Sequence, residues 1–215
     1  MRQRANRLLV ECAAGLLLLA GCAKKGHVSS GRNEARTGEA RPGGRPTAPR
    51  HHRAVREGKV MKLDVTSSAF QNGQGIPKKY AYRGEGDNVS PPLAWSGAPE
   101  GTKSFVVICE DPDAPSPKHP APKPWVHWVL FDIPATVTKI EEGRSAGTPG
   151  RNDFKETAWG GPLPPRGSGK HRYFFRVYAL DTTLNLPKGA TKNEVLRAAD
   201  GHILAKGQLY GTYER

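Results

Sequence analysis

The sequence predicts an all-β domain that occupies residues 59–215. Of the 215 residues, 36% are hydrophobic, 25 are glycine and 19 are proline. A chain this rich in turn formers, with little long-helix character, favours short strands joined by loops. Strand patterns begin only after residue 59, so the preceding part of the chain is not expected to join the fold.

Five segments of this domain carry strand patterns. The first alternates polar and apolar residues, the second is an apolar run, and the fourth is rich in aromatic and β-branched side chains. The predicted strands are residues 61–65, 104–109, 126–133, 173–180 and 208–213. Cys109 ends the second strand, and we expect a buried, unreactive thiol there.

One helix is marked by its first residues. Thr191 is followed three residues later by Glu194, which is the capping-box pattern of a helix N-terminus. The predicted helix covers residues 191–199, and Gly201 is expected to end or bend it.

Residues 1–21 have the three parts of a secretory signal peptide: a basic start, an apolar stretch and a small-residue ending. The Leu-Ala-Gly-Cys ending at 19–22 resembles a bacterial lipobox. That resemblance implies an exported lipoprotein anchored in a cell-envelope membrane through lipidated Cys22, and Ala23 favours the outer membrane of a Gram-negative host. The alternatives are an ordinary signal peptide or an inner-membrane anchor, although the apolar run is shorter than the roughly 20 residues that span a bilayer.

Residues 22–58 are expected to form a disordered basic tether. They hold almost no aliphatic core formers but many Gly, Pro, Arg and Ser residues. Such a segment cannot bury enough apolar surface to offset the entropy lost on ordering. Two interpretations stay open: the basic charge holds the tether against an anionic surface, or the tether is only a soluble spacer.

The net charge of +13 lies mainly outside the predicted domain. Lys and Arg exceed Asp and Glu by 2 in residues 1–22, by 7 in residues 23–59 and by 4 in residues 60–215. The tether lacks aromatic residues among its charges, and export would separate it from nucleic acid. We therefore expect no nucleic-acid partner.

Three clusters of chemically distinctive residues flank the predicted strands. They are Asp-Pro-Asp-Ala-Pro at 111–115, Trp-Val-His-Trp at 125–128, and Gly-Pro-Leu-Pro-Pro at 161–165, which leads to His-Arg-Tyr at 171–173. Strand ends and the loops beside them are where rigid scaffolds usually place binding groups. The long proline-rich loops 112–124 and 160–170 adjoin these clusters, and loops of that length are often functional.

In these clusters the chain resembles the phosphatidylethanolamine-binding proteins, also called Raf kinase inhibitor-like proteins, in their bacterial and archaeal branch. The resemblance covers about residues 60–215 and runs in family order. It implies an antiparallel β-sandwich with a few short helices near the C-terminus, and a small pocket at one end that takes phosphate-like anions. The matching segments are 87–95, 111–115, 125–128, 161–173 and 200–213.

The resemblance also implies which residues line or support the pocket. Leu163 stands where animal relatives have glycine, so the approach of the backbone to the anion is expected to differ here. Trp125 and Trp128 are expected to pack in the core or at the rim, and Arg172 to pair with a carboxylate or cover a strand edge. The predicted site residues are Asp111, Asp113, His127, Gly161, Pro164, Pro165, His171 and Tyr173.

These residue types suit an anion site. His127 and His171 have ring N–H groups whose charge changes near neutral pH, and Tyr173 adds a hydroxyl. Backbone N–H groups of the glycine-containing loop are expected to add further donors. Asp111 is expected to accept a hydrogen bond from a histidine, fixing its tautomer, or from an ammonium group of the ligand. Pro164 and the following proline hold the loop shape.

The leading hypothesis is a lipid-anchored binding or regulatory protein, not an enzyme, that recognises an anion on a phospholipid head group, a metabolite or a protein. Kinase or protease inhibition is known in the family, but no residue here identifies such a target. The alternative is an enzyme in which His127, His171 and Asp111 or Asp113 support acid–base or metal-assisted chemistry. No zinc-protease, hydrolase, phosphate-loop or dinucleotide fingerprint occurs, so we expect no cofactor or metal.

Overall fold

The computed structural model describes residues 60–215. The predicted signal peptide, the tether and Cys22 lie outside these residues. Nine strands, one α-helix and one 3₁₀ turn at Lys78–Tyr80 make up the described part. The strands are β1 (Met61–Lys62), β2 (Asp64–Thr66), β3 (Leu93–Ser96), β4 (Ser104–Asp111), β5 (Trp125–Pro134), β6 (Lys139–Ile140), β7 (Thr148–Pro149), β8 (His171–Leu180) and β9 (Ile203–Tyr213), and the helix is α1 (Lys192–Ala199).

The strands form two sheets. The larger has the order β1-β9-β8-β4-β5-β7, and the smaller has the order β2-β3-β6. All neighbouring strands are antiparallel except β1, which runs parallel to β9. The main core contains side chains of both sheets, including Trp95 and Phe105, whose ring centroids lie 5.3 Å apart. The prediction of an all-β, sandwich-like fold is confirmed.

Strand β4 is the centre of the larger sheet, and every one of its residues is buried. One face of the sheet packs on the smaller sheet, while Val106 and Ile108 face a second apolar cluster that includes Val195 and Ala199 of α1. Because both faces are covered, the strand is a continuous apolar run instead of an alternating one. Cys109 is fully buried, and burial raises the pKa of its thiol well above the ordinary value.

The predicted helix is confirmed, with both halves of its capping box. The Thr191 side chain accepts a hydrogen bond from the backbone N–H of Glu194, and the Glu194 carboxylate accepts the backbone N–H of Thr191 at 2.7 Å. Among residues 60–215, α1 is the one α-helix near the C-terminus, where the resemblance implied several. No helix in this range is long and apolar enough to cross a membrane.

The first and last predicted strands differ most from the structure, whereas the other three differ by one or two residues at an end. The first splits at Leu63 into β1 and β2, which belong to different sheets. The last begins at Ile203, five residues earlier than predicted, because it pairs with β8 along nearly its whole length.

Candidate functional site

A cavity of about 180 Å³ lies at one end of the larger sheet. Strand β4 runs antiparallel to both of its neighbours, so its C-terminal residue Asp111 meets the N-terminal ends of β5 and β8. That edge brings together residues that are distant in sequence. The lining residues are Asp111, Ala114, Pro115, Trp125, His127, Phe154, Leu163, Pro164, Pro165, His171 and Tyr173.

Asp111 and His171 form a buried pair at this edge. His171 Nδ1 lies 2.7 Å from Asp111 Oδ2, and the other carboxylate oxygen accepts the backbone N–H of Asp113 at 2.8 Å. A carboxylate accepts hydrogen bonds, so the proton between the two side chains belongs to His171 Nδ1. The carboxylate therefore fixes the histidine tautomer, as the sequence predicted.

His127 presents a hydrogen-bond acceptor to the cavity. Its Nδ1 lies 2.6 Å from the carbonyl oxygen of Gly160, which can only accept, so the neutral ring carries its proton on Nδ1. Burial lowers the pKa of His127 and favours this neutral form. Nε2 is then an acceptor, whereas the sequence led us to expect a donor.

Tyr173 supplies a buried hydroxyl to the same cavity. The residue is fully buried, and its ring centroid lies 5.0 Å from that of His127. Within residues 60–215 the hydroxyl oxygen has no hydrogen-bond partner within 3.5 Å, and Asp111 is the acceptor near it. Burial, reinforced by the charge of Asp111, raises the pKa of Tyr173, so the hydroxyl keeps its proton and remains a donor. A buried hydroxyl without a partner is costly, which points to a ligand or water that completes it.

Asp113 lies outside the cavity lining and supports it. Its carboxylate accepts two hydrogen bonds from the Arg172 guanidinium, both at 2.8 Å, and a third from the Arg172 backbone N–H at 2.9 Å. These bonds to Arg172 lower the pKa of Asp113. They join the start of the 112–124 loop to β8, and they confirm that Arg172 pairs with a carboxylate.

Gly161 also lies outside the lining, and its role is close packing. A Cβ at this position would lie 2.1 Å from the carbonyl oxygen of Tyr80. Its backbone N–H donates to Asn88 Oδ1 at 2.8 Å, and the N–H of Gly160 donates to the His127 carbonyl at 3.0 Å. The expectation that this loop offers free N–H groups is therefore wrong at both glycines, because the surrounding protein already uses them.

Comparison with known proteins places the chain in a family. The family model described as phosphatidylethanolamine-binding protein matches residues 66–214. The chain belongs to the phosphatidylethanolamine-binding protein family. A UPF0098 protein of Methanothermobacter thermautotrophicus is 45% identical over 160 residues, which cover 71% of this chain and 99% of the relative. A UPF0098 protein of Aquifex aeolicus is 42% identical, covering 71% of this chain and 89% of the relative.

Two solved structures of the family match the described fold. The homologue CT736 from Chlamydia trachomatis is 41% identical with a TM-score of 0.65, covering 72% of this chain and 98% of that one. YbcL from Escherichia coli, described as a member of the mammalian family, is 35% identical with a TM-score of 0.64, covering 72% and 99%. The similarity therefore covers nearly the whole of both solved chains.

The rim of the cavity in this family member is apolar. Trp125 is 40% exposed and packs edge-on against Phe154, with ring centroids 5.5 Å apart, while Trp128 is buried in the core. Both tryptophans thus have the packing roles that the sequence predicted. Phe154 was missed, because it stands in the sequence without a motif. Ala114 and Pro115 were missed as lining residues, although their cluster was recognised.

The polar chemistry of the site is concentrated in a few groups. Of the eight predicted residues, all but Asp113 and Gly161 line the cavity, and no Lys or Arg is among the lining residues. Across residues 60–215, no three His, Cys, Asp or Glu side chains are grouped as metal ligands. The site can donate through Tyr173 and accept through His127, in a small apolar enclosure beside a carboxylate.

Proposed function

We propose that this family member is a binding protein whose cavity takes a small phosphorylated head group. The observation that supports this proposal most strongly concerns Tyr173. Its buried hydroxyl has no hydrogen-bond partner within 3.5 Å in residues 60–215, and its ring lies beside that of His127. A phosphate oxygen would accept the hydroxyl proton. The cavity volume of about 180 Å³ falls below the roughly 300–1,000 Å³ of drug-sized sites, which suits a head group and not a larger ligand.

The donor and acceptor pattern selects the ionisation state of the ligand. His127 Nε2 needs a donor, and the Asp111 carboxylate beside it opposes a second negative charge. A phosphate monoester meets both conditions as its monoanion, which has one P–OH group. In a diester head group, an ammonium N–H would take the place of that proton.

Calorimetric titration of the full-length protein with phosphoethanolamine tests the proposal. Because the second pKa of a phosphate monoester is about 6, the monoanion fraction predicts roughly 20-fold tighter binding at pH 5.5 than at pH 7.5. Glycerophosphoethanolamine, a diester of constant charge, should show no such dependence. The two ligands therefore distinguish a free monoester from a phospholipid head group as the natural source.

Two variants test whether phosphoethanolamine binds in this cavity. Tyr173→Phe removes the hydroxyl and should weaken phosphoethanolamine binding roughly tenfold or more, since a hydrogen bond to a charged group contributes about 1.5–3 kcal/mol. Tyr178→Phe, on the same strand but outside the cavity lining, is the matched control. Equal affinities for the two variants, or no binding by the parent protein at either pH, would refute the proposal.

We further propose that the protein is exported and held at a membrane by lipid on Cys22. Support comes from the lipobox-like residues 19–22. When cells that express the protein are fed radiolabelled palmitate, the parent protein should carry the label and Cys22→Ser should not. A Cys12→Ser variant, which leaves the lipobox intact, should be labelled as the parent is. Label on Cys22→Ser would contradict lipid attachment at this residue.

A further inference from the structure

Ser168 completes an arrangement of three side chains beside the cavity. Its Oγ lies 3.0 Å from His171 Nε2, and His171 Nδ1 lies 2.7 Å from Asp111 Oδ2. Both distances fall within the hydrogen-bond range expected of a nucleophile, its general base and the group that orients the base. The three residues are separated in sequence and meet because β4 and β8 are neighbours.

The proton positions favour activation of the serine. Since His171 donates through Nδ1 to the Asp111 carboxylate, the neutral ring has its lone pair on Nε2, facing Ser168 Oγ. In the structure the hydroxyl donates its one proton to the carbonyl oxygen of Pro165 at 2.7 Å, so it has to rotate to donate to His171. That carbonyl already accepts the Ser168 backbone N–H at 3.1 Å, so it keeps a partner when the hydroxyl turns toward His171.

The three side chains differ in how deeply they are buried. His171 and Asp111 are buried, whereas Ser168 is only half-buried and lies outside the cavity lining, next to Pro165 and His171, which belong to it. The Asp111 carboxylate is held in turn by the backbone N–H of Asp113, which Arg172 fixes in place. The base and its orienting group are therefore set in position before any substrate arrives.

We propose that Ser168 is a catalytic nucleophile that accepts the acyl group of small, uncharged carboxylic esters. Ser168 Oγ bonds to the carbonyl carbon and passes its proton to His171 Nε2. The bond to the alkoxide breaks, and His171 returns the proton to release the alcohol. Water then attacks the acyl-serine with the same base, giving the carboxylic acid and free Ser168.

The surroundings indicate the substrate class. The two hydrogen-bond partners of the Ser168 hydroxyl, Pro165 and His171, line the cavity, whose other walls are largely apolar. Lys and Arg are missing from the lining, and an uncharged ester needs no such partner. A short apolar acyl group fits these walls and the cavity volume of about 180 Å³.

Labelling of the full-length protein with a fluorophosphonate probe tests the proposal. Attack by Ser168 on phosphorus with loss of fluoride should give one covalent adduct by intact mass, mapped by peptide sequencing to Ser168. Ser168→Ala should abolish labelling and hydrolysis of p-nitrophenyl acetate, whereas Ser96→Ala, at an exposed position on β3, should leave both unchanged. No adduct, an adduct at another residue, or full labelling of Ser168→Ala would overturn the proposal.

Asp111 is a positioning residue, and its test differs from a test of folding. Asp111→Asn can donate to His171 Nδ1 and so move the ring proton to Nε2, which removes the base. The labelling rate should fall on the order of 10⁴-fold, with the circular dichroism spectrum unchanged. Labelling at the parental rate would refute the role of Asp111; if the variant does not fold, the Ser168→Ala result and the mapped adduct decide.

The esterase proposal and the head-group proposal can fail separately. Ser168 is not among the groups proposed to hold phosphate, so Ser168→Ala should bind phosphoethanolamine as the parent does. Binding without labelling removes the nucleophile and keeps the head-group site. Labelling without binding removes the head-group site and keeps the nucleophile.

Discussion

Replacing Gly161 by alanine should destabilise the domain, although the residue touches no ligand. The added methyl carbon would lie 2.1 Å from the Tyr80 carbonyl oxygen and 2.5 Å from the carbonyl carbon of Ala81, both of which are backbone atoms that cannot rotate away. Overpacking of this kind typically costs about 1–3 kcal/mol. The Tyr80 carbonyl also accepts the Trp159 indole N–H at 3.0 Å, and the N–H of Gly161 donates to Asn88.

Shifting the chain to relieve the clash would weaken those two hydrogen bonds, at about 1 kcal/mol each. The expected loss is therefore about 3 kcal/mol or more, which lowers Tm by roughly 6–12 °C for a protein of this size. Thermal unfolding followed by circular dichroism measures it. Gly75→Ala is the control, because no atom lies within 4 Å of its added Cβ. If the Tm of Gly161→Ala equals the Tm of Gly75→Ala and of the parent protein, close packing is not the role of Gly161.

Three further predictions concern single groups. Arg172 lowers the pKa of Asp113, so this ion pair stabilises the fold above the unfolded-state pKa of about 3.9 and loses that effect as pH falls through the folded pKa. Arg172→Met should therefore reduce the pH dependence of the unfolding free energy, measured with urea between pH 2 and 7. A pH dependence equal to that of the parent protein would contradict the pairing. Cys109 should resist iodoacetamide in the native protein and react after urea unfolding, as peptide mass mapping would show, because its thiol is buried with a raised pKa. Thr191→Ala should cost about 1 kcal/mol of unfolding free energy by loss of the helix cap, with Thr66→Ala, exposed on β2, as control; equal stabilities would refute the cap.

Strands β4 and β8 and the helix could be predicted because their signals are local. The apolar run that became β4 and the aromatic, β-branched run that became β8 each carry a pattern that few other structures satisfy, and Thr191 with Glu194 marks the helix start. The two-residue strands β6 and β7 could not be predicted in this way. Their conformation depends on the strands with which they pair. Two residues are too few to show a periodic pattern of hydrophobic side chains.

The same contrast between local sequence signals and contacts made in space applies to the site residues. Motifs found His127, His171 and Asp111, because the residue types and their order are distinctive. Motifs did not find Ser168 or Phe154, whose roles depend on where loops return in space. They also could not separate lining from support, since that distinction rests on hydrogen bonds such as those of Asp113, which the chain makes only after folding.

Asp111 is the residue on which both proposals converge, and its bonding explains how a carboxylate can stand in a site proposed for an anion. One oxygen accepts the Asp113 N–H and the other the His171 ring N–H, so two fixed donors partly offset its charge before a ligand enters. Burial, reinforced by what remains of that charge, keeps the Tyr173 hydroxyl protonated, and the bond to Asp111 leaves the lone pair of the neutral His171 ring on Nε2, near Ser168. In the two proposals, the same carboxylate therefore supports a donor for phosphate oxygen and a base for serine.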